Sequence, residues 1–154
     1  SVADAALAER LVEPGEPHDR IQALAQVRHD DPSWLPATDA ERADDATFAR
    51  LALTVALRRH ARPADTVDGR TPGRDLSAVK VVVASGGVFR HAAPALLQAM
   101  LEPVTTDHAG GWRVPTAPRL TVDQRYVMAA AGLLADDHGD AAAALLRDAL
   151  VEVG

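Results

Sequence analysis

The side chains able to do chemistry gather in a few short stretches: Arg58-Arg59-His60-Ala61-Arg62, Ser85-Gly86-Gly87-Val88-Phe89-Arg90, Asp107-His108 and Asp136-Asp137-His138. Asp107 beside His108 has the residue types of an acid–base pair. Neighbours in a loop do not hydrogen-bond as a dyad by default, however, and no serine nucleophile motif accompanies them. Asp136, Asp137 and His138 are metal-ligand types, but consecutive residues cannot all face one ion from a regular helix, so helix capping is their expected use. The basic run closes an expected helix, where cations suit the negative end of the helix dipole. Phosphate contact is the sharper reading of that run, and a solvated last turn the expected one. His60 has no partner within helical reach. The chain has no cysteine, which excludes thiolate metal sites, Cys nucleophiles and disulfides within it and fits a reducing, cytoplasmic setting. No catalytic residue and no metal ligand is assigned.

The stretch around Gly86-Gly87 is different in kind. Val81-Val82-Val83-Ala84 reads as part of a strand over 79–84, too continuous in its apolar run to be half-exposed. Ser85-Gly86-Gly87 then lets the backbone bend sharply or approach a ligand closely. Helical spacing resumes from Ala92 to Leu101, with Pro94 acceptable near its start. Strand, glycine turn and helix together present backbone N–H groups to an anionic or nucleotide ligand. The same order also makes an ordinary tight turn between strand and helix, and on these residues alone both readings stand.

The elements around this turn follow from periodicity and punctuation. Residues 3–13 are helix-prone until Pro14-Gly15-Glu16-Pro17, and a second amphipathic helix is expected from Asp19 to His29. Two prolines make 30–36 a rigid connector whose Trp34 and Leu35 are expected to tuck onto the core. Thr38 and Glu41 have capping-box spacing and open the longest helix, 39–61. Phe48, Leu51, Ala52 and Val55, widened by Leu53, Ala56 and Leu57, give it a stripe broad enough for cover on more than one side. Residues 63–74 read as a mobile surface loop with turn signals at Asp68-Gly69 and Pro72-Gly73. Residues 102–118 read as a long loop and Arg119–Val122 as a second strand. Asp123 is expected to cap a helix over 124–136, in which close approach of another backbone or a ligand would justify Gly132. A last helix, 141–152, is expected behind Asp140. The organisation is then a helical segment 1–62, a surface loop 63–78 and an α/β segment 79–154, packed as one unit.

Composition narrows the class. A chain of 154 residues, 47% hydrophobic and 25% charged, can bury a core without staples. Ala and Leu dominate and aromatics are only 3%, which favours closely packed helices. A net charge of −6 disfavours nucleic acid or an anionic membrane as partner. No apolar run reaches the ~18 residues that span a bilayer. The opening Ser1-Val2-Ala3-Asp4-Ala5 does not read as a signal peptide, and its mid-helix composition predicts a piece of a longer protein.

The order strand, Gly-Gly turn, helix, long loop, strand, helix with a small-residue patch resembles the last part of the actin-like ATPase (ribonuclease H-like) fold. In that superfamily the Gly-Gly turn is the adenosine motif, and Val83–Arg90 is similar to it. A narrower resemblance covers most of the chain. Asp30, Pro32, Leu35 and Pro36, Phe48 to Arg62, Asp75 to Lys80, Ser85-Gly86-Gly87-Val88, Arg90-His91 and Tyr126 to Leu134 look like the C-terminal portion of the glutamate mutase accessory family. That family is often labelled MutL and is unrelated to mismatch repair. The resemblance implies a nucleotide-dependent chaperone that reactivates an adenosylcobalamin-dependent mutase. It implies ATP with Mg²⁺ as cofactor of the full-length protein, with the mutase subunits and the N-terminal half of the same chain as partners. It places Ser85, Gly86, Gly87, Val88 and Arg90 against the adenosine. The superfamily's two phosphate motifs, with their Mg²⁺-positioning Asp residues, are absent from these residues. This chain alone is therefore expected to hydrolyse nothing and to bind ATP weakly or not at all. A helical interaction domain with a purely structural glycine turn is the alternative. A stand-alone hydrolase has no nucleophile and base in credible spacing.

Overall fold

The computed structural model describes residues 1–66, 69–108 and 110–153. Its helices and strands, in chain order, are α1 Val2–Ala8, α2 Glu16–Asp30, α3 Asp39–Ala61, β1 Ala64–Thr66, β2 Gly69–Thr71, β3 Val81–Ala84, α4 Gly87–Arg90, α5 Pro94–Leu101, α6 Pro103–Thr106, β4 Arg119–Asp123, α7 Met128–Leu134, α8 Gly139–Ala149 and β5 Leu150–Glu152. The fold is α/β and helix-rich, with a small three-stranded sheet of order β3-β4-β5. No helix among the described residues is long and apolar enough to cross a membrane.

The long helix α3 organises the molecule. Thr38 and Glu41 form the reciprocal capping box that their spacing predicts: the Glu41 N–H donates to Thr38 Oγ1 at 3.2 Å and the Thr38 N–H to Glu41 Oε2 at 2.8 Å. Its wide apolar stripe serves two cores. On one side Leu51 and Phe48 pack with Ala3, Ala6 and Ile21 of α1 and α2. On the other Ala46, Ala49, Leu53 and Leu57 pack with Leu97, Met100, Leu101 and Val104 of α5 and α6 and with Val82, Ala84, Leu120 and Val122 of the sheet. The expectation of cover on more than one side holds. The last turn departs from its reading as solvated. Arg58 is 7% exposed and holds Asp107 with two hydrogen bonds of 2.7 Å, while its Nη1 donates to the Glu9 carbonyl at 2.8 Å. That one side chain joins the end of α1, the end of α3 and the segment after α6.

Several boundaries move for physical reasons. α1 stops at Ala8 rather than 13, with Arg10 at positive φ, so that Leu11 and Val12 turn back onto the first core. Glu16-Pro17 opens α2 instead of ending α1, because proline is suited to the first turn of a helix. The expected loop over 63–74 contains a short antiparallel hairpin, β1 with β2; Asp68, half of its Asp68-Gly69 turn signal, lies outside the described residues. Gly73 passes so close to the end of α3 that a Cβ there would lie 1.9 Å from the Ala61 carbonyl oxygen. The expected loop over 102–118 begins with the helical turn α6, and its Ala109 lies outside the described residues.

β3 and β4 pair in parallel, with Val81 opposite Arg119 and Ala84 opposite Val122. α8 ends at Ala149, and the chain re-enters the sheet as β5, antiparallel to β4, where the sequence reading continued the helix to 152. Leu150-Val151 suits either element, and pairing to the open edge of β4 decides it.

Candidate functional site

β3 carries the chain to the C-terminal edge of the parallel pair, and Ser85-Gly86 turns it into the single helical turn α4. Gly86 has φ 130° and ψ 158°, a conformation open in practice to glycine alone. Gly87 is exposed, and nothing lies within 4 Å of where its Cβ would be. The turn is therefore open to solvent. The amides of Arg90 and His91 bond back to Gly86 O and Gly87 O, each at 3.0 Å. The preceding N–H groups, at the start of the turn, have no intrahelical acceptor by construction.

Beside the turn lies a groove of about 480 Å³. Gly87, Val88 and His91 form one wall, Leu96 and Met100 lie at its apolar side, and Leu35, Pro36, Arg42, Asp45 and Ala46 stand opposite. The opposite wall is held by Arg28. Its guanidinium bonds Asp45 through Nε at 2.8 Å and through Nη2, and it lies 4.6 Å from the Trp34 ring and 5.3 Å from the Phe48 ring. Trp34 is thus half-buried against a cation, and Leu35, expected to tuck in, is 81% exposed at the groove. Arg42 adds a hydrogen bond from Nη1 to Ala37 O at 3.1 Å, which fixes the connector to the start of α3.

Behind the turn stands Asp123. It is the last residue of β4 and fully buried. It does not cap a helix beginning at 124; that helix starts later, as α7, after Tyr126 adopts φ 56°. Instead the carboxylate accepts from the Val127 N–H at 3.0 Å, the Met128 N–H at 2.9 Å and the Ser85 hydroxyl at 3.4 Å. Burial pushes the carboxyl up, but the Met128 and Val127 amides and the Ser85 hydroxyl outweigh it and hold it below the usual carboxylate range.

Of the residues singled out in sequence, Gly87 and Val88 line the groove. Gly86 shapes the turn. The Ser85 hydroxyl proton is directed to Asp123, leaving its oxygen lone pairs for any other partner. Arg90 is exposed, outside the groove, and pairs with no acid among the described residues. The far wall escaped the sequence reading because connector and α3 meet the turn only through tertiary packing; the 36–45 segment carries no spacing that announces it. Gly132 is exposed with open space at its Cβ position, so no close approach among the described residues explains it. Asp107 belongs to Arg58, and His108 Nε2 lies 3.1 Å from Thr105 O, so the two form no dyad. Among the described residues no group of three or more His, Asp or Glu is placed to hold a metal ion. The groove is lined mainly by apolar side chains, with Arg42, Asp45 and His91 as its charged or polar members, and the described residues offer no cluster suited to a Mg²⁺–triphosphate.

A model of the MutL protein family matches residues 1–150. The chain belongs to the MutL protein family. A curated relative, Protein MutL of Clostridium tetanomorphum, is 29% identical over 142 residues, which is 86% of this chain and 30% of that protein. The chain thus spans under a third of the length of that MutL relative. No solved structure matches it.

Proposed function

We propose that this MutL chain supplies the adenosine-facing wall of an ATP cleft in an accessory protein that reactivates an adenosylcobalamin-dependent mutase of the glutamate mutase type. The observation that carries the nucleotide half is the open Gly86-Gly87 turn at the C-terminal edge of a parallel strand pair, beside an apolar groove. Ligands of open α/β sheets bind at such edges. Membership of the MutL family supports the mutase half. The actin-like ATPase fold belongs to the same proposal, and it puts the phosphate-binding wall in the N-terminal half of the full-length protein.

In this reading Gly87 lets the backbone lie against the nucleoside, Val88 and Met100 exclude water from the base, and the free amides at the start of α4 face its polar edge. Arg90 reaches the ligand by a change of side-chain rotamer, since no ion pair among the described residues restrains it. No step of phosphoryl transfer falls to these residues, because no group of side chains placed to hold Mg²⁺ occurs among the described residues. Calorimetry tests the division of labour. This chain alone is expected to show no turnover and no micromolar ATP affinity; tight binding by it would overturn the split of the cleft between two halves.

A second reading has its own support. Leu133 is 86% exposed and Tyr126 62% exposed, and both flank the small-residue patch of α7. An interaction domain that docks a mutase subunit on α7, with a structural glycine turn, would leave the groove indifferent to adenosine.

A further inference from the structure

Val81–Ala84 contains no polar side chain, and parallel sheets keep such runs between neighbours and covered on both faces. Yet β3 lies at the edge of its sheet. Val81 is 39% exposed, Val82 and Val83 are half-buried, and only Ala84 is buried. This departs from the buried strand that the sequence predicts. The backbone alternates in the usual way of a parallel strand. Lys80 O accepts from the Arg119 N–H at 2.8 Å and Val82 O from the Thr121 hydroxyl at 3.2 Å, so these residues face β4. Val81 and Val83 therefore aim their N–H and C=O groups outward. The other edge is blunted: β5 is three residues long and ends in Glu152. β3, four residues long, carries no charged side chain within the strand.

We propose that the outer edge of β3 receives a further strand from the part of the longer MutL chain that these residues do not span. The matched relative has more than two-thirds of its length outside the region shared with this chain, ample for such a strand. The chemistry of the edge specifies an uncharged, apolar extended segment about four residues long. Main-chain hydrogen bonds to Val81 and Val83 supply the pairing. Side chains on one face extend the core around Val82 and Ala84, and those on the other cover Val81 and Val83. The pairing is independent of the nucleotide reading, because it follows from the sheet edge whether or not adenosine meets the glycine turn.

Amide hydrogen exchange tests it, on the longer MutL protein and on this chain at matched concentrations. In this chain Val82 and Ala84 should be protected, while Val81 and Val83 exchange fast. In the longer protein Val81 and Val83 should slow by about tenfold or more. Val83→Pro removes an outward donor and leaves the bonds to β4, so this chain should tolerate it. The same change in the longer protein should return Val81 to fast exchange. Equal, fast exchange of Val81 and Val83 in both proteins would overturn the proposal, and the unsubstituted comparison decides this even where Val83→Pro fails to fold. Protection that appears in this chain and grows with its concentration would overturn it too, by giving the edge to a second copy.

Discussion

Gly86 and Gly87 are adjacent and chemically identical, but the backbone asks different things of them. Gly86, at φ 130°, would strain any side chain, whereas Gly87 has open space around its Cβ position. Gly86→Ala should cost about 1–3 kcal/mol of stability and Gly87→Ala well under 1 kcal/mol, measured by urea unfolding. Asp123 is the second residue whose role is decided by burial. Asp123→Ala leaves the Val127 and Met128 amides without their acceptor, at ~1–3 kcal/mol for each, and frees the Ser85 hydroxyl. Its carboxyl is held below the ordinary range, so its contribution is present above the unfolded value and is lost as pH falls through the folded one. Asp75 is an exposed counterpart. The Ser77 hydroxyl, the Ser77 N–H and Arg113 lower its carboxyl from 3.8 to about 2. The tie between 75–77 and Arg113 should therefore be intact above pH 3.8 and loosen only as pH falls through about 2. An NMR titration of the Asp75 carboxyl with a midpoint near the ordinary value would contradict this.

Among the elements, those set by local chemistry were legible in the sequence. Thr38 and Glu41 mark the start of α3, and the Val81–Ala84 run, the Gly86-Gly87 break and the strand at Arg119 were each read from their own residues. What was not legible depends on partners distant in sequence. Arg58 reads as one cation in a solvated basic turn until Asp107, 49 residues away, folds against it. Leu150–Glu152 reads as helix until β4 offers it an edge, and Asp123 reads as a helix cap until Tyr126 delays the helix. Removing residues 150–154 should expose that edge of β4 and lower the thermal midpoint, with the loss of β4 amide protection reporting the site of damage.

For the whole molecule, α3 is the shared wall of two cores and Arg58 is the tie between them. Arg58→Ala leaves the half-buried Asp107 carboxylate unpaired and should cost about 2–3 kcal/mol; Arg58→Lys recovers the charge but not the paired hydrogen bonds. Loosening that tie should affect both cores, while the glycine turn, which depends on β3 and β4, keeps its local geometry. The molecule thus reads as a scaffold that holds one face of a cleft: turn on one wall, connector and α3 on the other. An NMR titration of this chain with millimolar adenosine tests that most directly. Binding should be weak, with the largest amide shifts at Gly86, Gly87 and Val88 and accompanying shifts at His91 and Ala46. Amides of the turn that stay still while adenosine reaches several millimolar, or largest shifts on another face, would contradict it.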